Sequence, residues 1–430
     1  MILDRQSFVR GFKKIEVGIT IIWLLYFFDV ALPEPISDQI NLLSYPIIAI
    51  LFFLYWKRLI WVATRDVFLL LLIGTILASI FWSVSPQNTI NAGRGFIRMF
   101  LFGAYMTTRY SLKEQMRILT WVFGIAAILS IVVVIAIPSY GLSTVHQGAW
   151  EGIFAHKGML GDAMSIGAIL FLFTAFEQRS PNWLAWIGFG ITVAINILTD
   201  SSSSLISFML LLSLIPLYLT IKQQYKLKTI LLCVGCIIAV SIAIFIVGNL
   251  ETILVDVLNQ ETSGRVSIWS LMLERILEER PWAGYGFNAF WNSDAGTFVG
   301  RYAWEETVVA TDFNAHSSYM ELYAGLGFLG IVVYAISLIT VFIRTVMLLM
   351  STRRIEFFWF AEFLVFAHIA GISNVGKIAS GASSYLIVYV SICLSTAVEW
   401  RRLKMDRPQH IKTNLNKYNY NRDPKSRVLS

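Results

Sequence analysis

SGRVSIWSLMLERILEERPWAGYGFNAFW, running from Ser263 to Trp291, is the stretch on which the reading of this chain turns. It lies within Glu251–Gly330, the one long segment that is neither an apolar run nor a short turn. From Arg265 onward, Ile268, Trp269, Met272 and Ile276 recur at helical spacing, and Pro281 ends the pattern. Ser263 is placed to cap that helix, with Arg265 in its first turn. The expected element is an amphipathic helix lying on a membrane surface, with Trp282 and Tyr285 at headgroup level.

On both sides of this stretch the sequence turns apolar. The chain is 57% hydrophobic and 14% charged, with a mean hydropathy of +0.66, whereas a soluble domain is about a quarter charged. Apolar runs of about 18 or more residues recur along it. They are continuous, which excludes the alternation of a membrane β-barrel. The expected fold is all-α: a polytopic transmembrane helical bundle of about twelve spans with one large extracytoplasmic loop. The spans fall at 15–32, 39–56, 66–82, 89–108, 116–137, 159–176, 183–198, 204–221, 229–248, 326–343, 357–372 and 382–399. Residues 1–248 then hold about nine spans, 249–325 form the loop, and 326–400 form the last spans. Residues 401–430 read as a basic, disordered tail.

Charge distribution sets the orientation. With both termini in the cytoplasm, 26 of the 34 Lys and Arg lie on the cytoplasmic side, as the positive-inside rule requires. The net charge of +7 is thereby explained without nucleic acid as a partner. The loop lies outside, away from ATP and nucleotide sugars, and no P-loop or GxGxxG motif stands at a strand–helix junction. Chemistry there must use a substrate already activated and delivered by the membrane. Cys233, Cys236 and Cys393 all fall within spans and read as small packing residues. The N-terminal apolar run reads as a retained span of a multi-pass inner-membrane protein.

Four groups of residues carry potential chemistry. Arg265, beside the free N–H groups of a helix start, makes an anion site or pairs with a loop carboxylate. His316, in a helix expected to be capped by Asn314 or Asp312, is held neutral by the helix dipole and serves as a base or as a capping residue. Tyr319 and Tyr323 share its face. Arg94 and Arg98, at i and i+4 inside a span, face an anionic ligand or form a structural ion pair such as Arg98 with Glu362. His156 and Lys157, at the outer mouth of the sixth span, bind phosphate or are wet loop residues. The pattern across these groups says more than any member. Cations kept at the outer face against the positive-inside bias suggest an anionic ligand such as a pyrophosphate. Asp294, Glu305, Glu306 and Asp312 match no known metal-ligand spacing, and no metal is expected.

At these residues the chain resembles the O-antigen ligase / Wzy-type polymerase superfamily of bacterial envelope proteins. The resemblance rests on Ser263–Trp291, which is similar to exopolysaccharide polymerases of the ExoQ type, on AHSSYMELYAGLGFLG (Ala315–Gly330), on GIFAHKGMLG (Gly152–Gly161) and on WSVSPQNT (Trp82–Thr89). It implies a GT-C-like helical fold. The implied donor is a glycan on undecaprenyl pyrophosphate, used with neither nucleotide, cofactor nor metal. The acceptor is a second glycan in a polymerase, or lipid A core in a ligase, with polysaccharide-export and chain-length proteins as partners. Arg265 and His316 take the family's essential arginine and histidine roles. Arg94 or Arg98, with His156 and Lys157, would hold pyrophosphate, while Tyr319, Trp282 and Tyr285 would stack on sugar rings. A transporter or flippase is the reading from another class. It predicts two repeated halves and broken helices at the midplane, and no such halves are visible in the sequence.

Overall fold

The computed structural model describes residues 5–28, 30–31, 36–144, 146, 148–177, 182–222, 265–303, 313–377 and 383–420. Helices carry nearly all of it: α1 (Arg5–Phe27), α2 (Ile36–Ala63), α3 (Val67–Ala78), α4 (Pro86–Arg109), α5 (Leu112–Ala136), the single turn α6 (Pro138–Gly141), α7 (Lys157–Glu177), α8 (Trp183–Leu198), α9 (Ser202–Lys222), α10 (Arg265–Glu279), α11 (Asp294–Ala303), α12 (Ser318–Thr352), α13 (Ile355–Ser373) and α14 (Ser384–Tyr420). The only extended pairings among the described residues are two isolated bridges, Val30 with Phe154 and Leu142 with Trp150.

Eleven of the twelve expected spans coincide with helices. The twelfth, 229–248, lies outside the described residues together with Cys233, Cys236 and Ser263. Six of the described helices are long and apolar enough to cross a membrane, so the chain is a multi-pass helical membrane protein. The others fall short for separate reasons. At 1.5 Å per residue, α3 and α8 reach only about 18 and 24 Å, against a hydrocarbon core of about 30 Å. In α4 polar side chains interrupt the run.

Ion pairs sort to the two ends of the bundle. Glu16 of α1 takes a bidentate pair from Arg109 at the end of α4, at 2.6–2.9 Å, and a Tyr105 hydroxyl at 2.8 Å. Asp66, the N-cap of α3, accepts from Leu69 N and pairs with Arg344 of α12 at 2.7 Å. Lys13 meets Glu114 at the start of α5. Among the described residues, the opposite end holds one buried pair, Lys377 with Asp162.

The segment after residue 264 folds on itself. Ile268, Met272 and Ile276 are fully buried against Tyr285, Phe290, Trp291, Val299 and Ala315. This corrects the surface-helix expectation: the apolar stripe of α10 is consumed by a small protein core, worth about 1.5–3 kcal/mol per buried side chain, rather than by lipid. α12 also starts earlier than its apolar run. The run begins at Leu326, and the first two turns, from Ser318, belong to this cap. α14 likewise continues to Tyr420, past the expected start of a disordered tail at Arg401. Helix formers such as Leu403, Lys404 and Met405 extend it.

The cap is locked onto α12 at a helix break. Gly327 has φ 61° and ψ −159°, a conformation essentially restricted to glycine. The break separates two i→i−4 pairs, Phe328 N with Ala324 O and Leu329 N with Gly325 O. Each freed group finds a partner in the 281–286 loop. Phe328 N and Leu329 N donate to Pro281 O and Trp282 O, while Tyr285 N and Gly286 N donate to Ala324 O and Gly325 O, all at 2.9–3.0 Å. Nothing is left unpaired, as buried backbone requires. The backbones approach so closely that a Cβ on Gly284 would lie 2.6 Å from the Gly325 carbonyl carbon, and one on Gly327 2.5 Å from that of Trp282. The segment before α4 closes the lock from the other side. Val84 N donates to Tyr285 O at 2.9 Å, and the Trp82 indole donates to Ala283 O at 2.7 Å.

Candidate active site

The cap brings Arg265 and His316 to one place through Ala315. The Trp269 indole donates to Ala315 O at 2.7 Å, and Glu321 Oε1 accepts from Ala315 N at 2.7 Å and from the Trp291 indole at 2.9 Å. Ala315 is therefore gripped from both sides and fully buried. Arg265 precedes Trp269 by four residues on α10, on the same face of that helix, and its charge is felt at the residue after Ala315. That residue is His316.

His316 does not lie in the first helical turn. Ser317 is the N-cap of α12, its hydroxyl accepting from Met320 N, and the helix begins at Ser318. His316 precedes the cap in a left-handed conformation, φ 48°. Its N–H donates to Asn314 Oδ1 at 2.9 Å, so Asn314 closes a turn instead of capping a helix. A left-handed non-glycine residue is uncommon and costs about 1–3 kcal/mol. Here the grip on Ala315 and the cap at Ser317 hold it in place.

His156 joins them from the loop before α7. Its Nδ1 accepts from Gly158 N at 3.0 Å, and the residue is half-enclosed, with part of its surface open. Burial, then the positive fields of Arg265 and His156, push the His316 imidazole below its usual range. His156 is lowered by burial and by the charges of His146, Lys157 and Arg265, against an opposing pull from Glu151. The two histidines and Arg265 are thus near enough to act on one another, and burial and charge together disfavour the protonated form of both rings.

The remaining expected residues fall elsewhere. Lys157 is buried, and its ammonium donates to Asp200 O at 3.0 Å, bracing the left-handed turn before α9. Arg98 is buried against α2. It donates to Asn41 and, at 2.8 Å, to Ser44, and lies 4.7 Å from the Tyr45 ring centroid. The alternative Arg98–Glu362 pair does not form; Glu362 is buried with neither oxygen hydrogen-bonded among the described residues. Arg94, one turn away on α4, is exposed and makes no hydrogen bond or ion pair among the described residues. Tyr285 is 2% exposed, its ring edge-on to Phe290 and its hydroxyl donating to Glu279 at 2.8 Å. A ring so enclosed cannot stack on a sugar, which corrects that expectation. Trp282 is 75% exposed but sits at Gly327, about 13 Å along α12 from Ser318. Tyr319 is half-buried, with its hydroxyl 3.5 Å from His368 O.

Sequence reasoning missed the network beneath the site. Asp162 of α7 accepts from Lys377 Nζ at 2.9 Å, Asn374 Nδ2 at 3.2 Å and Ser204 Oγ at 3.0 Å. Ser318 Oγ donates to Asn374 O at 2.7 Å and accepts from Lys377 N at 3.2 Å. The Lys377 ammonium also lies 3.7 Å from the Tyr385 ring centroid. The 374–377 turn therefore ties the start of α7, which follows His156, to the start of α12, which follows His316. Burial alone would lower the Lys377 pKa, but the Asp162 carboxylate reverses this and holds it above the usual lysine range.

Fold and site together define a multi-pass helical membrane protein with a cationic, histidine-bearing site at one end of the bundle, roofed by a folded loop. Residues 184–335 match the O-antigen ligase family. The chain is 24% identical over 295 residues to the exopolysaccharide production protein ExoQ of Rhizobium meliloti (strain 1021), an alignment spanning 64% of this chain and 64% of that protein's length. Both findings support assignment to the O-antigen ligase / Wzy-type superfamily. The matched segment includes Arg265, His316 and both the 281–286 and 324–329 sides of the lock, while Trp82, Val84, Arg94 and His156 lie before it.

Proposed function

We propose that the protein is a membrane glycosyltransferase that polymerises repeat-unit oligosaccharides carried on undecaprenyl pyrophosphate, at the outer face of the bacterial inner membrane, with both termini cytoplasmic. The observation that carries this reading is the placement of His316 within the field of Arg265, on a backbone gripped from both sides at Ala315. His316 takes the proton of an acceptor hydroxyl as the acceptor oxygen bonds to the donor's anomeric carbon. The bond from that carbon to the pyrophosphate oxygen breaks, and the lipid pyrophosphate leaves with the electron pair. Arg265 stabilises the charge developing on it. The exposed Arg94 supplies further positive charge toward the same group, and the His156 ring, whose Nδ1 already accepts from Gly158 N, offers its Nε2–H as a hydrogen-bond donor. The leaving group provides the driving force, so the reaction calls for no nucleotide, and Arg265 takes the charge-stabilising part that a metal would otherwise play.

Purified protein incubated with a lipid-pyrophosphate glycan, without nucleotide, is expected to yield extended glycan and free lipid pyrophosphate. Absence of both would defeat the reading. The name of the matched family favours a second reading, in which a finished chain is moved to lipid A core. Gels of cells lacking the protein separate the two: single repeats persist if it polymerises, whereas long lipid-linked chains accumulate if it ligates.

A further inference from the structure

A second basic site lies at the other end of the bundle. Between α5 and α8, floored by α7, runs a cavity of about 510 Å³. Its floor is the ring of Phe171, which fits only because Gly124 and Gly188 face it: a Cβ on Gly124 would lie 3.0 Å from that ring, and one on Gly188 would overlap it. Its walls are apolar, and Trp121, at 60% exposed, opens toward the surroundings. At one mouth, where α5 begins and α7 ends, stand Lys113, Arg117 and Glu177. Lys113 pairs with Glu177, while Arg117 is exposed with no partner among the described residues. Two cations thus face one carboxylate at the end of an apolar slot.

We infer that this groove binds one anionic phospholipid, with an acyl chain along Phe171 and Trp121 and the headgroup phosphate on Arg117. The charge at the mouth selects an anionic headgroup, and the apolar walls select a chain over a soluble phosphate. The donor's pyrophosphate is a different ligand. α7 runs about 30 Å from Lys157 beside the candidate active site to Glu177 at this mouth. The bound lipid therefore belongs to the opposite leaflet and would hold α5 and α8 together by binding only the folded state. This inference stands apart from the proposed transferase activity.

The test uses full-length protein in nanodiscs containing phosphatidylglycerol or phosphatidylcholine with brominated chains. Trp121 fluorescence is taken as the difference between wild type and Trp121→Phe. Brominated phosphatidylglycerol is expected to quench Trp121 with about fivefold higher apparent affinity than phosphatidylcholine, the gain from one basic side chain facing a headgroup of net negative charge, since choline offsets the phosphate of phosphatidylcholine. Arg117→Gln, at an exposed position, should reduce that ratio to about one with no change in thermal unfolding in phosphatidylcholine. Equal quenching by the two lipids in wild type would overturn the inference, as would a preference that survives Arg117→Gln. Native mass spectrometry from a mixture of the two lipids gives an independent count, with one retained lipid, mostly phosphatidylglycerol, expected in wild type and no preference between the two in Arg117→Gln.

Discussion

At the lock between residues 281–286 and 324–329, each backbone group freed by the break in α12 has a partner, and the glycines leave no room for a side chain. A few turns away, at His156, Arg265 and His316, the arrangement is the reverse. Positive groups crowd one another, a histidine sits in a strained backbone conformation, and the protonated form of both rings is disfavoured. The first region spends its residues on closure, while the second gathers cationic and titratable groups around a strained turn. Both lie in motifs that look alike in sequence, rich in glycine and aromatics. The difference teaches that the motif glycines build the platform and the motif cations use it. Substitutions should therefore separate activity from stability.

The largest separation is expected at the cations. Replacing His316 or Arg265 by Gln should lower glycan transfer by about 10²–10⁴-fold, the usual contribution of a positioned base or charge donor. The melting temperature should stay within a degree or two, because neither side chain is part of the lock. A variant that loses both activity and folding would merge the two regions and break the contrast.

The Asp162–Lys377 pair comes next. Both side chains are buried, at 1% and 5% exposure. Asp162→Asn leaves the Lys377 ammonium without its counterion, which costs about 3–5 kcal/mol when a buried pair is broken. Thermal unfolding should show the loss directly. Transfer should fall as well, because this turn ties the His156 loop to the His316 loop. Unchanged stability would mean that water reaches the pair and that the two loops are held by other means.

Gly327→Ala sharpens the other side of the comparison. The φ/ψ position alone costs about 1–3 kcal/mol for any residue with a Cβ, before the contact with Trp282 is counted. Protein that still folds should keep its rate per folded molecule, measured against the fraction that elutes as a single monodisperse species. Gly74, whose Cβ would meet nothing within 4 Å, is the control and should tolerate Ala.

What the sequence reveals divides along the same line. Apolar runs mark helices because burial in lipid is a property of the segment itself, and all eleven runs on described residues are helical. Arg265 at the head of α10 was legible from spacing and from Pro281. Contacts between distant segments were not. Asp162 and Lys377 meet across more than two hundred residues, and each alone reads as an ordinary polar group in or near a span. Tyr285 and Trp282, three residues apart in one loop, have the same chemistry but opposite exposure, 2% and 75%. Only the Gly284 turn and the Glu279 carboxylate decide which ring turns inward. Arg98 read as a ligand candidate because its partners, Asn41 and Ser44, lie on a helix that carries no motif.

The smallest effect expected is the most specific. Burial and the charges of Arg265 and His156 depress the His316 pKa below the usual 6.5. A base with a depressed pKa is more available at pH 7 than a free imidazole and is lost as the pH falls through its folded-state value. Transfer should therefore show an acid limb centred below 6.5. His156→Gln removes one of the two positive fields while leaving Arg265 and His316 in place. The His316 pKa must then rise toward 6.5, and the acid limb must move to higher pH. The rate on the plateau near pH 8 should change far less than in His316→Gln. A limb that stays in place would mean that the two histidines do not share a field, and the crowding that sets this site apart from the lock would reduce to Arg265 alone.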